Sequence, residues 1–229
     1  MKTLPATLAL LLAATSVSAQ ITMPPASPPA ELTQVVGMAE ITVSYCRPGA
    51  KERDVFGDLV PYGEVWRTGA NASTKISFDR DVQLGGKDVP AGTYALYTIP
   101  TADEWTVILH RNTTLWGSNG YDAANDLLRV TAPVTRLSQP VESFTIDFQR
   151  FHSNGADLCL RWDDVEVAVP VFVDGDAEVL AQIEEKVINA TGAISPNTYF
   201  DAAKFYFEKR IDLDLAGQWT EKAVEQSPQ

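Results

Sequence analysis

Cysteine and histidine are scarce, with two of each in 229 residues. Neither His110 nor His152 has a His, Cys or carboxylate two to four positions on, so no local metal-ligand spacing exists, and both read as surface or turn residues. No metal or cofactor is expected. There is no Gly-x-Ser-x-Gly elbow, no Ser-x-x-Lys pair and no glycine-rich phosphate loop, which removes the motif-borne hydrolases and nucleotide enzymes. Basic residues are also few: 18 Lys and Arg face 30 Asp and Glu, a net charge of −12. Phosphate neutralisation needs clustered cations, so a nucleic-acid role is disfavoured, as is docking by charge on an anionic membrane. Beyond the first residues no apolar run is long enough to span a bilayer.

What is present begins with Met1-Lys2, an apolar run from Leu8 to Ala14 and the small residues Val17-Ser18-Ala19, the pattern of a cleaved signal peptide over 1–19. The expected location is periplasmic or secreted. Pro24, Pro25, Pro28 and Pro29 make 20–31 an extended leader. From Leu32 the pattern alternates. Strands are expected at Leu32 to Val36, Ile41 to Cys46, Lys75 to Phe78, Val82 to Leu84, Lys87 to Val89, Thr93 to Ile99 and Glu104 to His110. Four more follow at Leu127 to Val134, Glu142 to Phe151, Ala156 to Trp162 and Val165 to Val173. Gly85-Gly86 suits a two-residue hairpin turn, and Asp163-Asp164 reads as another turn. One apolar and one polar face per strand imply an antiparallel β-sandwich over 32–173, with the jelly roll as a candidate topology.

After Val173 the period becomes 3.6. Asp176 to Asn189 carries Leu180, Ile183 and Val187 on one stripe. Ser195-Pro196 suits a cap and first position for a second helix, and Asp214 could cap a third. The 174–229 appendage therefore reads as helical, its last two helices forming a hairpin like one tetratricopeptide-type unit. Such a unit cannot bury its apolar face alone, so it either docks on its own sandwich or receives a protein partner.

Two stretches fit neither period: Lys51 to Asn71 and Asn112 to Asn125. Long irregular loops in a compact domain are either functional or packed by their own side chains. In the first, Trp66-Arg67-Thr68-Gly69-Ala70-Asn71 brings a guanidinium, an amide and turn N–H groups beside an indole. If the stretches meet, Tyr62, Trp66, Arg67, Asn71, Trp116 and Tyr121 would line one cleft able to hold a carbohydrate or small anion. Asp58 and Arg47 join as candidates, and the competing role for Arg67 is to pin the loop through backbone carbonyls or Asp58. Trp105 and Trp162 share parity with core residues. Cys46 and Cys159 lie on the polar faces of their strands and could pair if those strands are neighbours.

Val43-Ser-Tyr-Cys-Arg-Pro48, Gly57-Asp-Leu-Val-Pro-Tyr-Gly63, Val65-Trp-Arg-Thr-Gly-Ala-Asn71, Pro90-Ala-Gly-Thr-Tyr94 and Glu104-Trp-Thr-Val107 resemble an uncharacterised family of exported bacterial proteins, a domain of unknown function. The resemblance covers most of Ser27 to Val173, and the helical tail is similar to that of many members. It implies a bacterial envelope location and one β-rich domain, and brings no catalytic residue or ligand. Members usually have other small residues where Cys46 and Cys159 stand, which favours a disulfide peculiar to this chain. The expected function is a non-enzymatic binding or interaction module. The alternatives are an envelope hydrolase with a site assembled from scattered residues, and a structural protein binding a partner through its helices.

Overall fold

The computed structural model describes residues 23–227; the expected signal peptide, 1–19, lies outside them. Nine strands form an antiparallel sheet: β1 (Pro29–Val36), β2 (Ala39–Cys46), β3 (Thr74–Phe78), β4 (Val82–Leu84), β5 (Lys87–Val89), β6 (Gly92–Pro100), β7 (Glu104–His110), β8 (Asp126–His152) and β9 (Gly155–Phe172). Their hydrogen-bonded order is β1-β2-β3-β6-β7-β8-β9-β4-β5. Three helices follow.

The strand β8 organises the sandwich. It pairs with β7 as far as Pro133 and with β9 from Val134 onward, so it leaves one layer and enters the other. The expected separate strands at 127–134 and 142–151 are therefore one element, and β9 likewise unites 156–162 with 165–173. Irregular registers at Arg136/Val141 and Val141/Thr145 absorb the change of layer. Bulges bend and twist a strand without ending it, which is why the turn expected at Asp163-Asp164 is instead a point inside β9, with Asp163 at φ +51°. The Gly85-Gly86 turn does join β4 to β5, both glycines having positive φ.

Behind β2 the chain returns to the second layer. Ala50 N–H donates to Glu142 O (2.8 Å) and Phe144 N–H to Pro48 O (2.9 Å). Arg47 completes this seam, its Nε donating to Phe144 O (3.0 Å) and Nη2 to Thr145 Oγ1 (2.7 Å). Between the layers lie Ile41, Val43, Ile76, Leu96 and Leu109 against Ile146, Leu158, Leu160 and Val167. One end of this core is aromatic: Phe56, Trp66, Trp105, Phe144 and Trp162 make edge and stacked contacts at 5.0–6.3 Å between ring centres. Burying each such ring contributes roughly 1.5–3 kcal/mol.

The helices build a second core. α1 (Asp176–Ile183) passes into a π-helical turn at Glu184–Ile188, where one continuous helix was expected. α2 (Pro196–Lys209) starts as its sequence predicts, Ser195 Oγ accepting the Thr198 N–H at 3.2 Å, and ends at Arg210 in the left-handed conformation. α3 (Leu213–Gln226) is capped by Asp212, whose carboxylate accepts the Leu215 N–H at 2.9 Å, and not by Asp214. Ile183, Val187, Ala202, Tyr206, Ala216 and Trp219 bury one another, and no sandwich residue belongs to their cluster. The helices thus do not lay their apolar stripe on the sheet. Arg80 pairs with Glu178 at 2.7 Å, and Met38 fills the space over Gly175, at the α1 end. No described helix is long and apolar enough to cross a membrane.

Candidate functional site

The first irregular stretch is anchored along β6. Gly63 N–H donates to Pro100 O (2.9 Å), and Trp66 and Thr98 exchange both backbone hydrogen bonds (2.7 and 2.9 Å). Because side chains alternate along an extended segment, Trp66 enters the aromatic core and Arg67 leaves it. The indole is 8% exposed and its Nε1 donates to Gly69 O at 3.1 Å. Next the chain turns tightly, with Thr68 and Asn71 at φ +54° and +63°. Gly69 has φ +147°, and a Cβ there would lie 3.0 Å from Cys46 O and from Thr74 Oγ1. Only glycine fits that approach.

The second stretch covers the outer face of β6 and β7. Ala95, Tyr97 and Ile108 form a small buried cluster under Val65, Leu115 and Tyr121. His110 is fully buried and not a surface residue, a correction with a clear cause: it clamps the loop that hides it. The Asn112 N–H donates to its Nδ1 (3.1 Å), which leaves Nε2–H to donate to Asp122 O (3.1 Å). Tyr97 OH donates to Gly117 O at 3.0 Å, and Ser73 Oγ to Leu115 O at 3.3 Å. Burial pushes the Tyr97 hydroxyl up in pKa. Tyr121 is driven further, to about 12, first by burial and then by the Asp126 carboxylate that its OH bonds at 2.8 Å. Arg129 grips the same carboxylate at 2.7 Å and donates to the Tyr121 oxygen at 3.0 Å.

The two stretches touch at Gly117. Its φ is +70°, and a Cβ there would stand 3.4 Å from Arg67 Nη1 and 4.0 Å from Asn71 O. The guanidinium therefore lies against this backbone, yet among the described residues it makes no hydrogen bond or ion pair, and its Nε is buried without a partner. Neither the expected carbonyl anchors nor Asp58 holds it. Trp116, next to Gly117, is 68% exposed.

The candidates read from the sequence thus divide. Arg67, Asn71, Trp116 and Tyr121 belong to the two loops that meet on this outer face. Trp66 is removed from the surface by core packing, so it is no platform. Arg47 is spent on the seam to β8. Asp58 and Tyr62 sit elsewhere, around a hollow of about 340 Å³ lined also by Asp54, Arg136, Asp163 and Asp164. Cys46 and Cys159 are free thiols on β2 and β9, which are not neighbours, so the neighbour condition for a cross-strand disulfide fails. Cys159, though on the polar face, is buried beneath Arg150, whose Nη2 is 3.3 Å from its sulfur; burial raises its pKa to about 11. Ser73, Tyr97, Asp126 and Arg129 are not singled out by the sequence pattern, which puts His110 at the surface or in a turn. Their signal was available in Tyr94-Ala-Leu-Tyr-Thr-Ile-Pro100, where apolar residues occupy both parities and so demand a cover on both faces. No described group of three or more His, Cys, Asp or Glu is arranged to hold a metal.

No curated protein and no solved structure matches the chain. A family model described as "Protein of unknown function (DUF2911)" matches residues 27–171, which takes in the sandwich from its first strand to Val171 in β9 together with both loops of the candidate site. By that match, over well more than half of its length, the chain belongs to the DUF2911 family.

Proposed function

We propose that the protein is a non-enzymatic binding module whose ligand presents a small anionic group to Arg67, an acidic carbohydrate being the first class to try. The observation that carries this reading is the uncommitted guanidinium. The Arg67 Nε is buried without an acceptor among the described residues, and a carboxylate or sulfate would take it together with an Nη in a bidentate pair. Three features of the surroundings support it. Tyr97 and His110 hold the second loop in place before any ligand arrives, which lowers the ordering cost of binding. The exposed Trp116 indole offers an apolar platform of the kind that packs on a sugar ring. Asn71 is exposed on the same turn and can add an amide. The export signal expected at 1–19 would put this site outside the cytoplasm.

The test is a thermal-shift series with sulfate, phosphate, a uronic acid and its neutral parent sugar at fixed ionic strength, on wild type, Arg67→Ala and Arg67→Lys. A ligand at about a hundred times its Kd adds roughly 2.7 kcal/mol, several degrees in a chain of this size. The expected result is a shift by the uronic acid in wild type, a smaller one in Arg67→Lys and none in a folded Arg67→Ala. If no anion moves the wild type, or if Arg67→Ala shifts equally, the reading is wrong.

A further inference from the structure

We infer that the outer groove between α2 and α3 is a docking site for a basic amphipathic helix of a partner protein. This stands independently of the Arg67 site. α1 and its π-helical turn cover one side of α2, where Ile183 and Val187 meet Ala202 and Tyr206. Another side of the hairpin is open. A groove of about 450 Å³ runs between α2 and α3, walled by Phe200, Phe207 and Leu213, floored by Ala203, Ala216 and Gly217, and bordered by Thr220 and by Lys204, the one cation among the described residues that line it. Phe207 is 67% exposed and Phe200 54%. A small-residue floor between large apolar walls lets a helix approach closely, and a lone helical hairpin is a unit whose apolar face needs a stacked neighbour.

Charge decides what that neighbour is. Each lysine of the hairpin is already engaged: Lys204 lies 3.9 Å from Glu208, Lys209 pairs with Asp176 at 2.5 Å, and Lys222 sits 5.3 Å over the Tyr199 ring. Arg210, in the connection beyond α2, is the remaining cation. On α3, Asp214, Glu221 and Glu225 follow at i, i+7 and i+11 along one exposed edge, and none makes an ion pair among the described residues. An apolar groove with an unneutralised acidic rim fits an apolar stripe flanked by Lys and Arg. A second copy of this chain, at net charge −12, would bring acid against acid.

The experiment measures binding of a synthetic Leu/Lys amphipathic helix as long as α3 to the purified protein, beside a Leu/Glu counterpart and an order-scrambled Leu/Lys peptide. Wild type is compared with Phe207→Ser, with the rim pair Glu221→Lys/Glu225→Lys and with Glu52→Lys/Asp103→Lys, an equal charge change on sandwich loops. Asp214 is left in place because a carboxylate stabilises the first turn of a helix. Binding of the Leu/Lys helix alone is expected, reduced at least tenfold by the rim pair and by Phe207→Ser, both with unchanged helix content, and little affected by the loop pair. No binding, equal loss from the loop pair, or equal binding of the scrambled peptide would overturn the proposal. So would a wild-type dimer made monomeric by Phe207→Ser, because the occupant would then be a second copy.

Discussion

Trp66 and Arg67 are neighbours in the chain and sit in opposite kinds of environment. Trp66 packs against the rings of Phe56, Trp105, Phe144 and Trp162, and its one polar atom is bonded. Arg67 faces a loop-covered surface where Tyr97, Ser73 and His110 are bonded, while among the described residues its guanidinium has no acceptor. A side chain that has all its contacts is there to hold the fold, and one denied partners amid satisfied neighbours is free to hold something else. The inner face should therefore be dominated by stability, the outer face by ligand.

The comparison breaks first if Trp66→Ala is mild. The expected loss is about 3–5 kcal/mol in a denaturant titration, the range for emptying a large aromatic site. Next, His110→Ala strips partners from the Asn112 N–H and the Asp122 carbonyl; a loss of about 2 kcal/mol is expected, with faster amide exchange over 112–122. A loss without faster exchange there would deny that His110 is the clamp.

A third effect appears only in alkali. The Tyr121 pKa is raised from its ordinary 10.0 to about 12, so the folded state favours the protonated hydroxyl. Stability from this group is whole below pH 10, where both states are protonated, and is lost as pH rises from 10 towards 12. Tyr121→Phe should flatten that part of the melting-temperature profile, and an unchanged slope would remove Tyr121 as its source. Arg67→Ala comes fourth: with no partner to lose, the unliganded protein should change by about 0.5 kcal/mol or less. A loss several times larger would make Arg67 a scaffold residue and end the contrast. Smallest is a difference in thiol reactivity with no change in stability. Half-buried Cys46 should be alkylated in the native protein, and buried Cys159, its pKa raised to about 11, only on unfolding.

Much of the framework is legible because it depends on local periodicity. The parity of Phe144, Ile146 and Phe148 fixes which face of β8 is buried, and Ser195-Pro196 starts α2 because cap and first-turn chemistry are short-range. The breaks expected at 135–141 and at Asp163-Asp164 are absent for a reason no local pattern contains: β8 and β9 hold each other across their bulges. The site divides in the same way. Arg67 and Trp116 stand out as a charge and an aromatic in irregular sequence, whereas His110 and Tyr97 matter only because the chain returns to cover them.

The sequence alone determined a β-rich body followed by helices, the Gly85-Gly86 turn, and a concentration of polar and aromatic groups in two unpatterned stretches, since each follows from chirality, pleat or dihedral preference within a few residues. The tertiary structure decided that β8 serves both layers, that Cys46 and Cys159 lie on strands that are not neighbours, that Trp66 is buried, and that the Arg67 guanidinium has no partner among the described residues. Those are outcomes of packing between residues tens of positions apart, where each side chain's role is set by what the fold brings against it.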